Sequence, residues 1–178
     1  MPADEISKRV VVAFPRVESA AEWKQILSVR DRFDPLAGAI APHLTLVFPF
    51  ADALSDAALE QHLRSVVTDL PRFPLVLRDI TAHENEYLFL NVKRGNDELI
   101  HLHDALYTGA LAPHHVRMNT FVPHVTVGRL PADELAAALD ATAGLTGAIH
   151  ASVDSISVYR VEPEGTRPVL LELPLRAP

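Results

Sequence analysis

Hydrophobic residues recur along this chain with two different periods, and the alternation predicts short strands interleaved with amphipathic helices. Residues 10–14 read Val-Val-Val-Ala-Phe and end at Pro15, a β-branched and aromatic run that is typical of a strand. Ser19 and Glu22 then have the spacing of a capping box, which marks the start of a helix. The positions that follow at helical spacing are Trp23, Ile26, Leu27 and Arg30. In this helix we expect the Arg30 charge to lie at the rim of the apolar face.

The same two periods continue to the end of the chain. They predict strands at residues 44–48, 75–81, 87–92, 122–129, 151–159 and 169–175, and helices after Ser55, after Gly95 and from Pro131. The segments at 75–81 and 87–92 are joined by a short polar stretch and therefore predict a hairpin. The chain lacks a flexible linker, the glycine fingerprint of dinucleotide-binding folds and a phosphate-binding P-loop. We expect an α+β fold in a single domain spanning residues 1–178.

Composition narrows the class of protein. The chain has 178 residues and no cysteine, which excludes structural disulfides, thiolate zinc sites and cysteine nucleophiles. A cysteine-free chain fits a reducing compartment, and no apolar run approaches the roughly 20 residues that cross a bilayer. With 16 Lys and Arg against 23 Asp and Glu, the net charge is −7, which disfavours long nucleic acid as a ligand. These features predict a cytoplasmic protein that binds neither membranes nor long nucleic acids.

A short sequence occurs twice, about half the chain apart. Residues 42–46 read Pro-His-Leu-Thr-Leu, and residues 123–127 read Pro-His-Val-Thr-Val. Both copies lie in short apolar segments with strand character. In a chain with nine histidines and 14 prolines, the number of copies expected by chance is far below one. The repeat predicts a duplicated supersecondary unit with one copy in each half of the chain.

The repeated motif has the side chains for phosphoester chemistry. Side chains alternate between the two faces of a strand, so His43 shares a face with Thr45, and His124 shares one with Thr126. If an approximate twofold relates the halves, the two faces meet across a groove. One neutral imidazole can then take a proton while a protonated one gives a proton to the leaving oxygen. The threonine hydroxyls can donate hydrogen bonds to the phosphoryl oxygens. We therefore predict that His43 and His124 act together.

The other histidines offer weaker candidates. His101 and His103 are two residues apart on a predicted helix and cannot chelate in the usual i, i+4 manner. His114 and His115 lie in a proline-flanked loop, where solvent exposure is the simpler interpretation. No metal-ligand spacing such as H-E-x-x-H is present, so no metal or other cofactor is predicted. A zinc site built from the surplus histidines remains an alternative.

The paired motifs resemble the signature of the two-histidine phosphoesterase superfamily. This group contains the 2'-5' RNA ligase-like proteins and the cyclic nucleotide phosphodiesterases. Each motif reads His-x-Thr followed by an aliphatic residue, at residues 43–46 and again at 124–127. Further similarities are the opening strand at 10–14, Phe48 after the first motif, Arg129 after the second, and the segment 153–160 that contains Tyr159. The resemblance thus spans nearly the whole chain.

The resemblance implies a bilobal α+β fold in which two antiparallel sheets, flanked by helices, surround a pseudo-twofold groove. Each lobe supplies one His-x-Thr motif. The implied activity is metal-independent hydrolysis of a 2',3'-cyclic phosphate or a short 2'-5' linked nucleotide. His43 and His124 match the family's acid/base pair, and Thr45 and Thr126 match its phosphate-binding hydroxyls.

Two further substrate-binding residues are implied by the same resemblance. Strict alternation puts Arg129 on the face opposite His124, so its role in the groove requires a β-bulge, and a structural role is the alternative. Tyr159 either stacks on a base or sugar or packs internally. Where family members often have an aromatic residue, this chain has Thr166, Arg167 and Pro168.

Several activities fit these residues. The favoured one is a monomeric phosphodiesterase whose partner is a small nucleotide or an RNA terminus with a cyclic phosphate. RNA end ligation is the reverse chemistry, and the same four side chains could catalyse it. A non-catalytic nucleotide-binding module and a metal-dependent hydrolase are the remaining alternatives.

Overall fold

Within residues 7–51, 53–116, 120–145 and 147–177, which a computed structural model describes, nine strands form one sheet in which neighbouring strands are antiparallel. The strands are β1 (Lys8–Ala13), β2 (Arg16–Val17), β3 (Leu44–Phe50), β4 (Phe73–His83), β5 (Tyr87–Arg94), β6 (His124–Arg129), β7 (Ile149–Val153), β8 (Ser155–Val161) and β9 (Val169–Pro174). Across the sheet their order is β2-β7-β4-β5-β6-β3-β1-β8-β9.

Four α-helices accompany the sheet in this part of the chain: α1 (Ala20–Phe33), α2 (Asp56–Val67), α3 (Asn96–Leu106) and α4 (Leu135–Thr142). A 3₁₀ helix at Gly109–His114 follows α3. Ser19 caps α1 by accepting a hydrogen bond from the Glu22 amide, as its sequence spacing predicted, and Ser55 caps α2 through the Ala58 amide. No helix in the described ranges is both long and apolar enough to cross a membrane.

The helices cover one face of the sheet and leave much of the other face open. The strand residues that point to the helices include Val11, Leu46 and Val127, and they belong to one core cluster with Ile26 and Leu63 of the helices. On the opposite face, a small cluster lies over β1 and β8 and consists of Val10, Val12, Ile40 and Tyr159. The open remainder of that face is where the repeated motifs lie.

The α+β prediction is confirmed, and the two predicted sheets join at the middle. Strands β3 and β6 are neighbours through a single registered pair, Leu44 opposite Val125. Outwards from this pair, β5, β4, β7 and β2 follow on one side and β1, β8 and β9 on the other. Because so little of β3 and β6 is paired, the sheet opens into two halves beside this contact.

The strand predicted at residues 151–159 is wrong as a single element. The chain breaks it at Asp154, whose carboxylate accepts hydrogen bonds from Ser152 Oγ at 2.7 Å and from Arg16 at 3.2 Å. Strand β7 then pairs with β4 and β2, whereas β8 pairs with β1 and β9 in the other half of the sheet. Periodicity alone does not show this change of partners, since both strands are rich in buried β-branched residues.

Arg30 also departs from its prediction, because it is buried and not at the rim. Its side chain is only 2% exposed. Arg30 Nε donates to the Asp34 carboxylate at 2.7 Å, and Nη1 donates to the Ile40 carbonyl at 2.7 Å. The ion pair and the additional hydrogen bond offset the cost of removing both charges from water.

Candidate active site

The two His-x-Thr motifs lie side by side at the centre of the sheet. Both copies show the same alternation of burial: the proline and the aliphatic residues are buried, while the histidine and threonine are half-buried on the open face. The antiparallel register about Leu44 and Val125 places His43 across from Thr126 and Thr45 across from His124. The four polar side chains therefore form a compact group with a local twofold through the strand pair, and the histidines lie on its diagonal.

Each histidine ring is oriented by the backbone carbonyl two residues before it. His43 Nδ1 lies 2.9 Å from the Ala41 carbonyl oxygen, and His124 Nδ1 lies 2.6 Å from the Val122 carbonyl oxygen. A carbonyl oxygen only accepts hydrogen bonds, so Nδ1 carries a proton in both rings. The lone pair of each neutral imidazole is therefore on Nε2, which is the nitrogen left to act on a ligand.

Burial lowers the pKa of both imidazoles. Desolvation lowers the pKa of His124 to about 4, against the hydrogen bond to Val122, and the nearby charges of His83 and His43 add to the decrease. Desolvation also lowers the pKa of His43, with a further decrease from the Arg30 guanidinium that is countered by Asp34. Both rings are therefore neutral at pH 7 in the free protein.

Aromatic side chains hold His43 on one side of the site. The rings of Phe14 and Tyr159 approach its ring edge-on, with centroids 6.1 and 5.9 Å away. Tyr159 is 6% exposed and packs with Val10 and Val12, so it braces His43 from within the small cluster on this face. The same buried surroundings raise the pKa of the Tyr159 hydroxyl.

A stack of three rings holds His124 on the other side. The Phe89 ring centre lies 3.4 Å from that of His124, nearly parallel at 14°, and the His83 ring also stacks on Phe89, at 4.7 Å. Phe89 also lies opposite Thr126 in the β5–β6 ladder, so this one residue contacts both polar members of the second motif.

A groove of about 580 Å³ runs along the second motif and reaches the first through Thr45. Its lining combines the motif residues with aromatic and charged side chains: Thr45, Phe48, His83, Glu84, Tyr87, Phe89, Thr120, Phe121, Val122, His124 and Thr126. Phe48 and Val122 are 36% and 45% exposed, so this groove offers open apolar surface beside its polar centre.

The buried ion pair of α1 positions the segment that leads into His43. Arg30 bonds the Ile40 carbonyl, and Asp34 accepts a hydrogen bond from the Leu36 amide at 2.9 Å. Both ends of the turn between α1 and β3 are thereby fixed to the helix. The Ala41 carbonyl that orients His43 directly follows the residue held by Arg30, so α1 sets the placement of the first motif.

Helix α3 performs the corresponding task where β3 separates from β6. His103 Nδ1 donates to the Leu46 carbonyl at 2.8 Å, and the Tyr107 hydroxyl accepts a hydrogen bond from the Phe48 amide at 3.0 Å. These two side chains satisfy backbone groups of β3 beyond its short ladder with β6. His103 also stacks on Phe121 at 3.9 Å and 3°, which ties β3 to the segment before the second motif.

Arg129 lies on the groove face because β6 contains a bulge. Tyr87 pairs with Arg129 and Phe89 with Thr126, so an extra residue of β6 is inserted between the two pairs. Arg129 does not line the groove itself, since its guanidinium donates to Glu86 and lies 5.6 Å from the centre of the Tyr87 ring. This hydrogen bond raises the pKa of Arg129.

Sequence reasoning assigned no role to three residues near the motifs: His83, His103 and Arg167. His83 lies at the end of β4 and reaches the groove through the β4–β5 hairpin. The sequence showed only that His103 points in a different direction from His101. The burial of His103, which is 4% exposed, and its hydrogen bond to β3 identify it as a residue that holds this strand. In the part of the chain that the structure describes, no group of three or more His, Cys, Asp or Glu residues is placed to hold a metal ion.

Comparison with known sequences finds a matching family model and similar proteins. The sequence model of the 2'-5' RNA ligase superfamily matches residues 15–164. A Geobacillus kaustophilus protein named "Putative phosphoesterase GK0864" is 34% identical over 134 residues, which cover 71% of this chain and 72% of that protein. A second relative, from Geobacillus thermodenitrificans and named "Putative phosphoesterase", is 33% identical over 61% of this chain and 64% of its own length.

Solved structures share the fold at low sequence identity. Escherichia coli LigT in its apo form has a TM-score of 0.65 and is 18% identical, with 95% of this chain and 97% of LigT covered. LigT complexed with 3'-AMP gives the same TM-score at 20% identity. The Thermus thermophilus protein TT0787 has a TM-score of 0.62 at 14% identity, with 96% of this chain and 98% of that protein covered. The chain belongs to the 2'-5' RNA ligase superfamily, the two-histidine phosphoesterase family that its paired motifs predicted.

Proposed function

We propose that this protein is a phosphodiesterase that hydrolyses a 2',3'-cyclic phosphate or a short 2'-5' linked nucleotide without a metal ion. The observation that carries this proposal is that the two histidines make the same backbone hydrogen bond and leave the same nitrogen available. Each uses Nδ1 to bond the carbonyl two residues before it, and each keeps Nε2 for a ligand. Each also has a threonine two residues later on the same face.

The twofold arrangement suits a reaction with one attack and one departure. One neutral imidazole takes a proton from water through Nε2 as the water oxygen attacks phosphorus. The other imidazole, protonated, gives its Nε2 proton to the leaving oxygen as the P–O bond breaks; this is the 2' or 3' oxygen of a cyclic phosphate, or the 5' oxygen of a 2'-5' linkage. The product is a phosphate monoester, and the two imidazoles have exchanged protonation states. Because the site is nearly symmetric, either histidine can take either role, and the orientation of the substrate decides between them.

Thr45 and Thr126 are proposed to hold the non-bridging phosphoryl oxygens. Each hydroxyl lies across the strand pair from a histidine, so a phosphate above Leu44 and Val125 meets all four groups. Hydrogen bonds to those oxygens stabilise the negative charge that develops in the transition state. The bound phosphate also raises the pKa of a neighbouring imidazole, which supplies the protonated acid in a site where both rings are neutral when free.

The size and lining of the groove support a small nucleotide or an RNA end as substrate. Phe48, Phe121 and Val122 provide an apolar wall against which a nucleobase can stack. Among the proteins with this fold, LigT has been solved with 3'-AMP and with ATP. We propose the same ligand class, nucleotides with a terminal or cyclic phosphate, for this chain.

The test is direct hydrolysis of the four 2',3'-cyclic nucleotides and of 2'-5' linked dinucleotides in excess chelator. The proposal expects a single 2'- or 3'-phosphate product with full activity in chelator. Absence of turnover on all of these substrates would overturn it. Activity that chelator abolishes and zinc restores would favour a metal-dependent hydrolase instead, and joining of cyclic-phosphate and 5'-hydroxyl ends would favour ligation.

A further inference from the structure

Arg167 lies outside the four-residue centre, but its charge acts on His43. We propose that Arg167 forms a second phosphate subsite at the His43 end of the site, which binds the phosphate on the 5' side of the terminal nucleoside. This proposal rests on the proposed function and makes it more specific. The substrate class it identifies is an oligonucleotide end rather than a mononucleotide.

The β8–β9 turn directs Arg167 towards His43. Gly165 has φ of +90°, a left-handed conformation that glycine adopts without steric cost, and its amide donates to the Glu162 carbonyl. After the turn, Val169 pairs with Tyr159, so the two residues share a face. Arg167 lies two residues before Val169, just outside the start of β9, where its charge acts on both Tyr159 and His43. The Pro168 carbonyl accepts a hydrogen bond from the Arg160 amide at 3.0 Å and keeps the segment beside β8.

The contacts of Arg167 leave its charge available. Its Nη1 donates to the Gly165 carbonyl at 2.6 Å, and the guanidinium is close enough to Tyr159 to counter part of the burial that raises the pKa of the Tyr159 hydroxyl. No carboxylate of the described residues lies within ion-pair distance of it, and nearby Glu164 accepts a hydrogen bond from Thr166 instead. Arg30, Arg129 and Arg160 each have a carboxylate partner. A half-buried guanidinium fixed by neutral oxygens is well suited to bind a phosphate.

The charge of Arg167 reaches the first motif. Tyr159, whose hydroxyl pKa the Arg167 charge lowers, has its ring 5.9 Å from the ring of His43. Burial is the main cause of the lowered pKa of His43, and the positive charges of Arg30 and Arg167 contribute further. Since Asp34 neutralises Arg30 at 2.7 Å, Arg167 provides the uncompensated positive field at this end.

The two ends of the site therefore differ in charge. Glu84 lines the groove near His124 and supplies the negative charge of that end, since neighbouring Glu86 is neutralised by Arg129. A second phosphate is repelled from that end and attracted to the end that contains Arg167. With the scissile phosphate between the motifs, the next phosphate lies over Tyr159 and Arg167, and the terminal base lies against the apolar wall.

Binding of two adenosine phosphates tests this subsite without requiring turnover. Adenosine 3'-monophosphate has the phosphate for the central site, and adenosine 3',5'-bisphosphate adds the second phosphate. Affinities are measured by calorimetry at constant ionic strength for the unaltered protein, Arg167→Gln and Arg160→Gln. Arg160 is the matched control because it lies in the same hairpin but is paired with Asp56 at 3.1 Å and with Glu162 at 3.7 Å. Thermal unfolding of each variant verifies that it is folded.

The unaltered protein and Arg160→Gln should bind the bisphosphate about 10-fold more tightly than the monophosphate, consistent with one charge-assisted hydrogen-bonding group. Arg167→Gln should abolish that ratio while its affinity for the monophosphate changes less than about 3-fold. The proposal is overturned if the ratio survives in Arg167→Gln, or if both affinities fall equally, which would place Arg167 on the central phosphate. The readout is binding, so a failure of hydrolysis in the activity assay is recorded separately.

Discussion

At the scale of single residues, the two motif histidines are set apart by the nitrogen they leave unoccupied. His43 and His124 each donate Nδ1–H to a backbone carbonyl, whereas His101 is exposed on α3. His43→Ala and His124→Ala should each reduce kcat by about 10²-fold or more, since each removes one of the two groups that we propose transfer protons. Steady-state hydrolysis of a cyclic nucleotide measures the effect, and His101→Ala is the control that should retain full activity. A motif variant with unchanged kcat would remove that histidine from the mechanism.

The pH dependence of the reaction follows from the lowered pKa values. The general base must be neutral, so the rate falls as the pH drops through its pKa; the general acid must be protonated, so the rate falls as the pH rises through its own. Burial lowers the pKa of His43 below the usual value and that of His124 to about 4. The maximum of kcat/KM should therefore lie on the acidic side of about 6.5.

The maximum of kcat should lie at a higher pH than the maximum of kcat/KM, because bound phosphate favours the protonated imidazole. Both profiles are measured at constant ionic strength with the same cyclic nucleotide. A kcat/KM that rises steadily from pH 6 to pH 8 would contradict the assignment of two desolvated imidazoles.

Sequence reasoning reached the four motif residues because the motif repeats, not because any one of them is distinctive. Arg30 and His103 show where it fails. Each is buried because it donates to a carbonyl in another part of the chain, Ile40 for Arg30 and Leu46 for His103. Helical periodicity predicts which side of a helix a residue occupies, but not whether a backbone carbonyl from another part of the chain lies on that side. Arg167 was missed for a similar reason, since its position depends on the pairing of β8 with β9.

At the scale of elements, the opening between β3 and β6 depends on α3. The Tyr107 hydroxyl accepts the Phe48 amide hydrogen bond at 3.0 Å, and the buried position raises the pKa of Tyr107. Tyr107→Phe leaves that amide unsatisfied and should lower the free energy of unfolding by about 1–3 kcal/mol. Denaturant unfolding measures this change, and Tyr87→Phe, in a partly exposed ring, is the control. Equal stability of Tyr107→Phe and the unaltered protein would show that water replaces the hydroxyl.

Gly128, beside the bulge of β6, lets this strand pack closely against α1 and β5. A Cβ atom at this position would lie 3.0 Å from both Leu88 Cδ1 and Phe33 Cβ, so β6 would have to move away from α1 and β5. Gly128→Ala should cost about 1–3 kcal/mol of stability through overpacking. Gly144→Ala is the matched control, because nothing lies within 4 Å of its added Cβ. Thermal and denaturant unfolding of both variants test this, and a neutral Gly128→Ala would show that the bulge tolerates a side chain.

Most elements were predictable from local pattern, but their partners were not. The hairpin of β4 and β5, the turn at Gly165 and the four helices follow from period and turn residues. The division of residues 151–159 into β7 and β8 does not, because it is determined by which strands are available on each side of the sheet. Local sequence specifies a strand, whereas the pairing of distant strands is a property of the whole core.

At the scale of the whole molecule, the strand order itself is nearly symmetric about the site. Each half of the sheet begins with a motif strand and continues through a neighbour that pairs along much of its length, β5 beside β6 and β1 beside β3. We infer that the halves act as two lobes, each contributing one histidine and one threonine. A phosphate held by both motifs would bridge the lobes, so ligand binding should restrict the motion of the two halves of the sheet relative to each other.

The net charge of −7 limits the number of nucleic-acid phosphates that this protein binds. Arg129, Arg160 and Arg9 are engaged by carboxylates, and Arg167 provides one cation beside the central site. Affinity should therefore improve from a cyclic mononucleotide to a dinucleotide with a terminal cyclic phosphate, and then stay constant for the tetranucleotide and octanucleotide. For a single strand with two bound phosphates, the slope of log K against log salt concentration should be about −1.4.

KM values for this length series at several KCl concentrations measure both quantities. A KM that keeps falling with length, or a slope several times steeper, would mean that a further cationic surface binds the strand and that the acidic composition does not limit the substrate. A plateau at the dinucleotide would instead fix the substrate as a terminus, since only the two phosphates nearest the end contribute to binding.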